Sequence, residues 1–293
     1  MKFEGIMPAL VTPLLEDESI NVPVLHDLVN YLISKRADGF YVGGATGEGL
    51  ALRPEVRKVL TEESIKAIGG RVPSIIQVAS CDFSVMLDLA RHAEAAGADA
   101  ISATAPLFFK YDTDDVYDYY KRLADAVHIP VMIYYNPNVG FPMNADFAAR
   151  VFEIDNVTAI KWTNPNYYEM LRLKDLTHGE MNIINGPDEM LLMGLSGGAD
   201  GGIGTTYNFQ MENIRGVYDS FKRGDMKTAH EWQTKADRVI HALITDYMTI
   251  PATKVVLEAM GFAVGNAAFP MKRYTAEQKA EIIARMRAAG LEI

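Results

Sequence analysis

The chain of 293 residues has one cysteine, two tryptophans and no apolar run approaching the length of a membrane span. Each shortage excludes something. Cys81 cannot close an internal disulfide, and none is needed, because a chain this long buries roughly 75% of its unfolded surface. A lone thiol suits a reducing compartment, so a cytoplasmic location is expected. Apolar stretches fall far short of the roughly 20 residues that cross a bilayer, and no membrane partner is expected. The opening Met-Lys-Phe-Glu-Gly lacks the apolar stretch of a secretory leader. Positive charge is scarce too. Against 38 Asp plus Glu stand 28 Lys plus Arg, a formal charge of −10. Nucleic acid, whose phosphates demand clustered cations, is therefore not an expected partner. The six histidines are scattered, with no His-x-His and no His-Glu-x-x-His, so neither a metal site nor a separate cofactor is expected.

What is present is an alternation. Short apolar segments lie at 5–10, 39–43, 74–79, 99–103, 130–134, 157–161, 181–185 and 200–204. Between them run patterns with apolar residues three and four apart, as in 84–96, several ending at glycine, such as Gly70 and Gly97. Strand–helix alternation implies parallel pairing through right-handed crossovers. Eight such units in about 220 residues predict an α/β fold of the (β/α)8 TIM-barrel type. A doubly wound open sheet shares the alternation, since counting strands does not prove closure. After residue 210 the strand signals stop. Residues 213–223, 225–247, 253–261 and 275–289 read as helices, the last opened by a Thr275-x-x-Gln278 capping box and followed by Gly290. The chain thus divides into a barrel over 1–210, holding the active site, and a C-terminal α-helical extension over 211–293 packed on it.

In a barrel of this type the reactive groups sit at the C-terminal ends of the strands. The second segment runs into Gly43-Gly44-Ala45-Thr46-Gly47-Glu48-Gly49, whose N–H groups and Thr46 hydroxyl can hold a carboxylate or phosphate without a basic residue; a plain tight turn has the same composition. It lacks the lysine of a P-loop and the spacing of a dinucleotide fold. Period two in the fifth segment puts Tyr134 with Met132 and Tyr135 with Ile133, so one tyrosine faces the interior and the other the helices; both could serve as packing aromatics. In VTAIKWT, 157–163, Ala159, Lys161 and Thr163 share one face and Ile160 and Trp162 the other. Trp162 suits the helix-facing layer, which turns Lys161 inward. A desolvated ammonium is costly, so this position favours a neutral amine able to attack a carbonyl and form a Schiff base. A lysine reaching solvent at the rim, or pairing with Glu48 or Asp188, is the other reading. Gly186-Pro187-Asp188-Glu189 can bind hydroxyls or open a helix. Gly198–Thr206 exposes further backbone donors, or reflects crowding at the barrel mouth.

These residues together resemble the family of pyruvate-dependent lyases that contains N-acetylneuraminate lyase and dihydrodipicolinate synthase. Gly44-Ala45-Thr46-Gly47-Glu48, Tyr134 after Pro130-Val-Met-Ile, Lys161 and the final glycine-rich strand carry the resemblance, which covers most of the chain. It implies a barrel, a Schiff-base lysine (Lys161), a tyrosine acid/base (Tyr134) and a homotetramer acting on a small 2-oxo acid. Lys161-x-Thr163, Gly186-x-Asp188-Glu189 and Gly198–Asn208 are similar to the motifs of the sialic acid branch. By that analogy Ala45 and Thr46 hold the substrate carboxylate, and Thr163, Gly186, Asp188, Glu189 and Thr205 meet its polyhydroxylated part. Synthases of the family carry an arginine soon after the tyrosine, whereas here Asn138-Val139-Gly140-Phe141 follows and the next arginine is Arg150. Two departures stand out. Ala45 replaces a hydroxyl residue, and Phe108 replaces the tyrosine that a neighbouring subunit often lends, so the usual hydroxyl relay to Tyr134 is expected to be missing. A synthase, a 2-keto-3-deoxy sugar acid aldolase and a non-catalytic sugar-acid sensor are the competing expectations.

Overall fold

The computed structural model describes residues 2–293. Eight strands alternate with helices: β1 Gly5–Pro8, β2 Phe40–Val42, β3 Ser74–Gln77, β4 Ala100–Thr104, β5 Val131–Tyr135, β6 Val157–Trp162, β7 Asn182–Asn185 and β8 Gly201–Gly204. The helices are α1 Val22–Ser34, α2 Pro54–Ile68, α3 Phe83–Ala95, α4 Thr113–Ala124, α5 Ala145–Phe152, α6 Tyr167–Leu176, α7 Leu191–Ser196, α8 Met211–Lys222, α9 Met226–Ile244, α10 Thr249–Ala259 and α11 Ala276–Ala288. Every strand pairs in parallel with its neighbour, in the order β1-β8-β7-β6-β5-β4-β3-β2. A parallel bridge between Ala9 and Tyr41 joins the two ends, reinforced by Leu10 N–H donating to the Tyr41 carbonyl at 2.9 Å. The alternation therefore closes into a (β/α)8 barrel and not an open sheet.

Local chemistry explains the helix boundaries. Side-chain oxygens of Asp82, Asp112, Asn144, Asn166, Asp225 and Thr275 accept N–H groups in the first turns of α3, α4, α5, α6, α9 and α11. Thr275 and Gln278 form the full reciprocal box. The left-handed residue that ends α2 is Gly69, one position before the expected Gly70, which is left-handed as well.

Strand periodicity sorts the core into two layers. Met7, Ala9, Tyr41, Ile75, Ala100, Met132, Ala159, Ile184 and Ile203 fill the barrel interior. Ile133, Tyr135, Ile160 and Trp162 belong to the outer layer between strands and helices. The β5–β6 register places Tyr134 beside Lys161, and β4–β5 places Thr104 beside Tyr134. α8 follows β8 and packs on β1 and α7 as the eighth helix of the ring, and α9, α10 and α11 continue from it. No helix is long and apolar enough to cross a membrane.

Candidate active site

Lys161 stands near the C-terminal end of β6, facing inward, with 7% of its surface exposed. Its Nζ lies 4.6 Å from the centre of the Tyr134 ring and 4.8 Å from that of Tyr41. The two rings meet edge-on, 6.1 Å apart. The two rings wall the nearly buried amine. Glu48 does not pair with it, contrary to one reading of the sequence; that carboxylate binds Lys254 instead.

Tyr134 and Tyr135 take opposite sides. The Tyr134 phenol is nearly buried and makes no hydrogen bond to another described residue. Tyr135 packs on Trp162 with ring centres 4.9 Å apart, and its hydroxyl accepts from Asn164 Nδ2 at 3.1 Å. Tyr41 was not singled out by sequence. Its hydroxyl donates to Ser102 Oγ at 3.0 Å, and burial pushes its pKa well above the usual phenol range, so it remains protonated. Its inward position follows from period two in Phe40-Tyr41-Val42, but a tyrosine inside a three-residue apolar strand has the composition of plain packing.

The Gly43–Gly49 loop caps β2. A Cβ at Gly44 would run into the Tyr41 ring, so the close approach requires glycine. Glu48 N–H donates to the Ala45 carbonyl at 3.1 Å and Gly49 N–H to that of Gly44 at 3.2 Å. The N–H groups of Ala45, Thr46 and Gly47 donate to no acceptor among the described residues. Thr46 is buried and Ala45 exposed. The Thr46 and Thr205 hydroxyls share a hydrogen bond of 2.7 Å, which joins the loops after β2 and β8. Backbone donors and two hydroxyls thus converge where a carboxylate can be held without a cation.

The opposite side of the mouth is built from the ends of β6 and β7. The Thr163 hydroxyl is buried and unpartnered. It lies against the Gly186 Cα, where any Cβ would collide with it. Asp188 is buried, with one carboxylate oxygen accepting the Thr206 N–H at 2.7 Å and the Thr206 hydroxyl at 2.6 Å. Burial raises its pKa to about 6 against the pull of those two bonds and of nearby Lys161. The Asp188 carbonyl accepts from Gln233 Nε2 of α9 at 3.2 Å. Glu189 is exposed at the rim and Thr205 is half-buried. The sequence marks Thr206 only as the end of the Gly198–Thr206 segment, and the hydroxyl role goes to its neighbour Thr205. Phe108 sits on the loop after β4, 90% exposed with φ 77°, beside Phe109. Among the described residues no three His, Cys, Asp or Glu side chains group as metal ligands.

A lysine amine thus lies between two tyrosine rings near the C-terminal end of a barrel strand, and the loop after β2 carries N–H donors with no acceptor among the described residues. Comparison with known proteins gives the family. Residues 2–289 match the Dihydrodipicolinate synthetase family. The chain is 32% identical over 273 residues to an N-acetylneuraminate lyase of Rhizobium meliloti, covering 93% of this chain and 91% of that one. Among solved structures, Proteus mirabilis N-acetylneuraminate lyase superposes with a TM-score of 0.94 at 31% identity over the whole of both chains. A dihydrodipicolinate synthase from Bacillus anthracis superposes with a TM-score of 0.93 at 26% identity, over 98% of this chain and 99% of the other. The chain belongs to the dihydrodipicolinate synthetase family, and is a lyase of the class I aldolase type.

Proposed function

We propose that the chain cleaves N-acetylneuraminate to pyruvate and N-acetylmannosamine through an imine on Lys161. The observation that carries this reading is the inward Lys161 amine lying over the Tyr134 ring at the barrel mouth. The names of its relatives supply the substrate class.

In the proposed cycle the 2-oxo acid carboxylate rests on the N–H groups of Ala45, Thr46 and Gly47 and on the Thr46 hydroxyl. Lys161 attacks the C2 ketone of the open-chain sugar acid; loss of water gives a protonated imine, which draws electrons from the C3–C4 bond. Tyr134 takes the C4 hydroxyl proton as that bond breaks, then returns a proton to C3 of the enamine. Hydrolysis frees pyruvate and the lysine. Thr163, Asp188, Glu189 and Thr205 meet the hydroxyls of the departing sugar. With Ala45 and Phe108 in place of hydroxyl residues, the proton path to Tyr134 runs through the substrate carboxylate, water or another donor. No separate cofactor or metal takes part. A cytoplasmic homotetramer is part of the proposal.

Synthase chemistry is the second reading, favoured by the Bacillus anthracis neighbour. The segment after Tyr135 opposes it, since Asn138-Val139-Gly140-Phe141 offers no guanidinium for a second carboxylate. Turnover measured side by side on N-acetylneuraminate, 2-keto-3-deoxygluconate, and pyruvate with aspartate semialdehyde separates the readings. Cleavage of the first is expected to dominate. Preference for either other substrate assigns the chain to that branch, and binding without turnover makes it a sensor.

A further inference from the structure

We propose that the buried Glu48–Lys254 pair is a positioning device, through which the C-terminal extension sets the loop that receives the substrate carboxylate. The inference rests on the aldolase reading above.

The pair is enclosed: the Glu48 side chain is 0% exposed and that of Lys254 2%. Both Glu48 oxygens are engaged from outside the loop. Oε1 meets Lys254 Nζ of α10 at 2.7 Å, and Oε2 accepts the Ala268 N–H at 2.6 Å. Lys254 also donates to the Asn266 carbonyl at 2.9 Å. Two contacts therefore tie one loop residue to α10 and to the segment leading toward α11, and a third joins those two elements to each other. Two charges removed from water lose hydration that their attraction only partly returns, and apolar residues of the same volume would hold the fold as well. Fixed geometry is the better account of why this position is ionic.

The local backbone shows what is being fixed. Glu48 adopts φ 61°, in the left-handed region, which turns its side chain outward while its own N–H closes back on Ala45. Beside it, the Thr12 hydroxyl donates to the Gly47 carbonyl at 2.6 Å, in the peptide unit that leads into Glu48. Ala45, Thr46 and Gly47, whose N–H groups meet no acceptor among the described residues, run directly into these anchors. Release of Glu48 would let that run of donors turn without disturbing β2 or Lys161. Burial drives Lys254 toward its neutral form, and the Glu48 charge opposes that drift. Neither residue touches the Lys161 amine, so the effect acts on the carboxylate and not on the nucleophile.

The test uses the double variant Glu48→Gln/Lys254→Met, which keeps volume and the acceptor for Ala268 while removing both charges. Each single variant leaves one buried charge unpaired and serves as the folding control. Borohydride trapping on Lys161 is measured with pyruvate and with methyl pyruvate, beside the denaturation midpoint. The double variant is expected to fold with the parental midpoint, to trap pyruvate about tenfold less efficiently through a raised half-saturation concentration, and to trap methyl pyruvate within about twofold of the parent. Equal losses on both ketones, or no loss on either, would overturn the inference while leaving the aldolase reading standing. Absence of any adduct in the parent chain would remove that reading and the inference together.

Discussion

Tyr134 and Lys161 occupy the same row of adjacent strands, and the lysine amine lies 4.6 Å from the tyrosine ring centre. The phenol is thereby carried by the strand next to the nucleophile, where it can reach an oxygen of a substrate bonded to Lys161. Tyr134→Phe removes the proposed proton acceptor and leaves the aromatic wall. Turnover is expected to fall about 10²- to 10⁴-fold, while pyruvate still forms a trappable imine. Loss of imine formation in this variant would place Tyr134 in an earlier step.

Tyr135→Phe is the matched control. Its hydroxyl only accepts from Asn164, on the outer side of the barrel. Stability is expected to fall by about 1 kcal/mol in urea unfolding, with unchanged turnover. A large loss of activity would mean that the two tyrosines have exchanged roles.

The Thr46–Thr205 hydrogen bond makes a third prediction. Thr46→Val takes a hydroxyl from the proposed carboxylate cradle and strips Thr205 of its partner. The KM for the 2-oxo acid is expected to rise about tenfold, equivalent to about 1.4 kcal/mol, with kcat little changed. A fall in kcat at constant KM would assign Thr46 to the chemical step.

Asp188 gives stability a pH dependence of known sign. Its carboxyl titrates near pH 6 in the folded chain against 3.8 for an ordinary aspartate, so the native state holds the proton more tightly than the unfolded one. Stability therefore declines as pH rises from about 4 to about 6, by about 3 kcal/mol for a shift of this size, and is flat above. Asp188→Asn keeps an acceptor for Thr206 and removes the ionisation. Denaturation at pH 4 and pH 7 is expected to show the parent losing stability relative to the variant at the higher pH; an equal difference at both would contradict the assignment.

Period two was the signal that made most of the barrel readable before its structure. Alternation of strand side chains turns Lys161 inward beside Trp162 and puts Tyr134 and Tyr135 on opposite sides, while the choice of Tyr134 as the inward one comes from the family resemblance. Closure was not readable, because it rests on one bridge between Ala9 and Tyr41 in short segments with no pairing signal of their own. The same holds for partners distant in the chain. Glu48 has the composition of a candidate for Lys161, yet its oxygens bind Lys254 and the N–H of Ala268, 220 residues away. Thr206 was hidden by its twin Thr205, since two adjacent threonines look alike until the turn after β8 assigns one to the mouth and the other to Asp188.

The most direct measurement is mass spectrometry of the chain after incubation with pyruvate and borohydride. The account predicts one reduced pyruvyl adduct, on the peptide containing Lys161, which disappears in Lys161→Ala while the folded far-UV spectrum is retained. An unmodified Lys161 peptide, or an adduct that persists in Lys161→Ala, would contradict it.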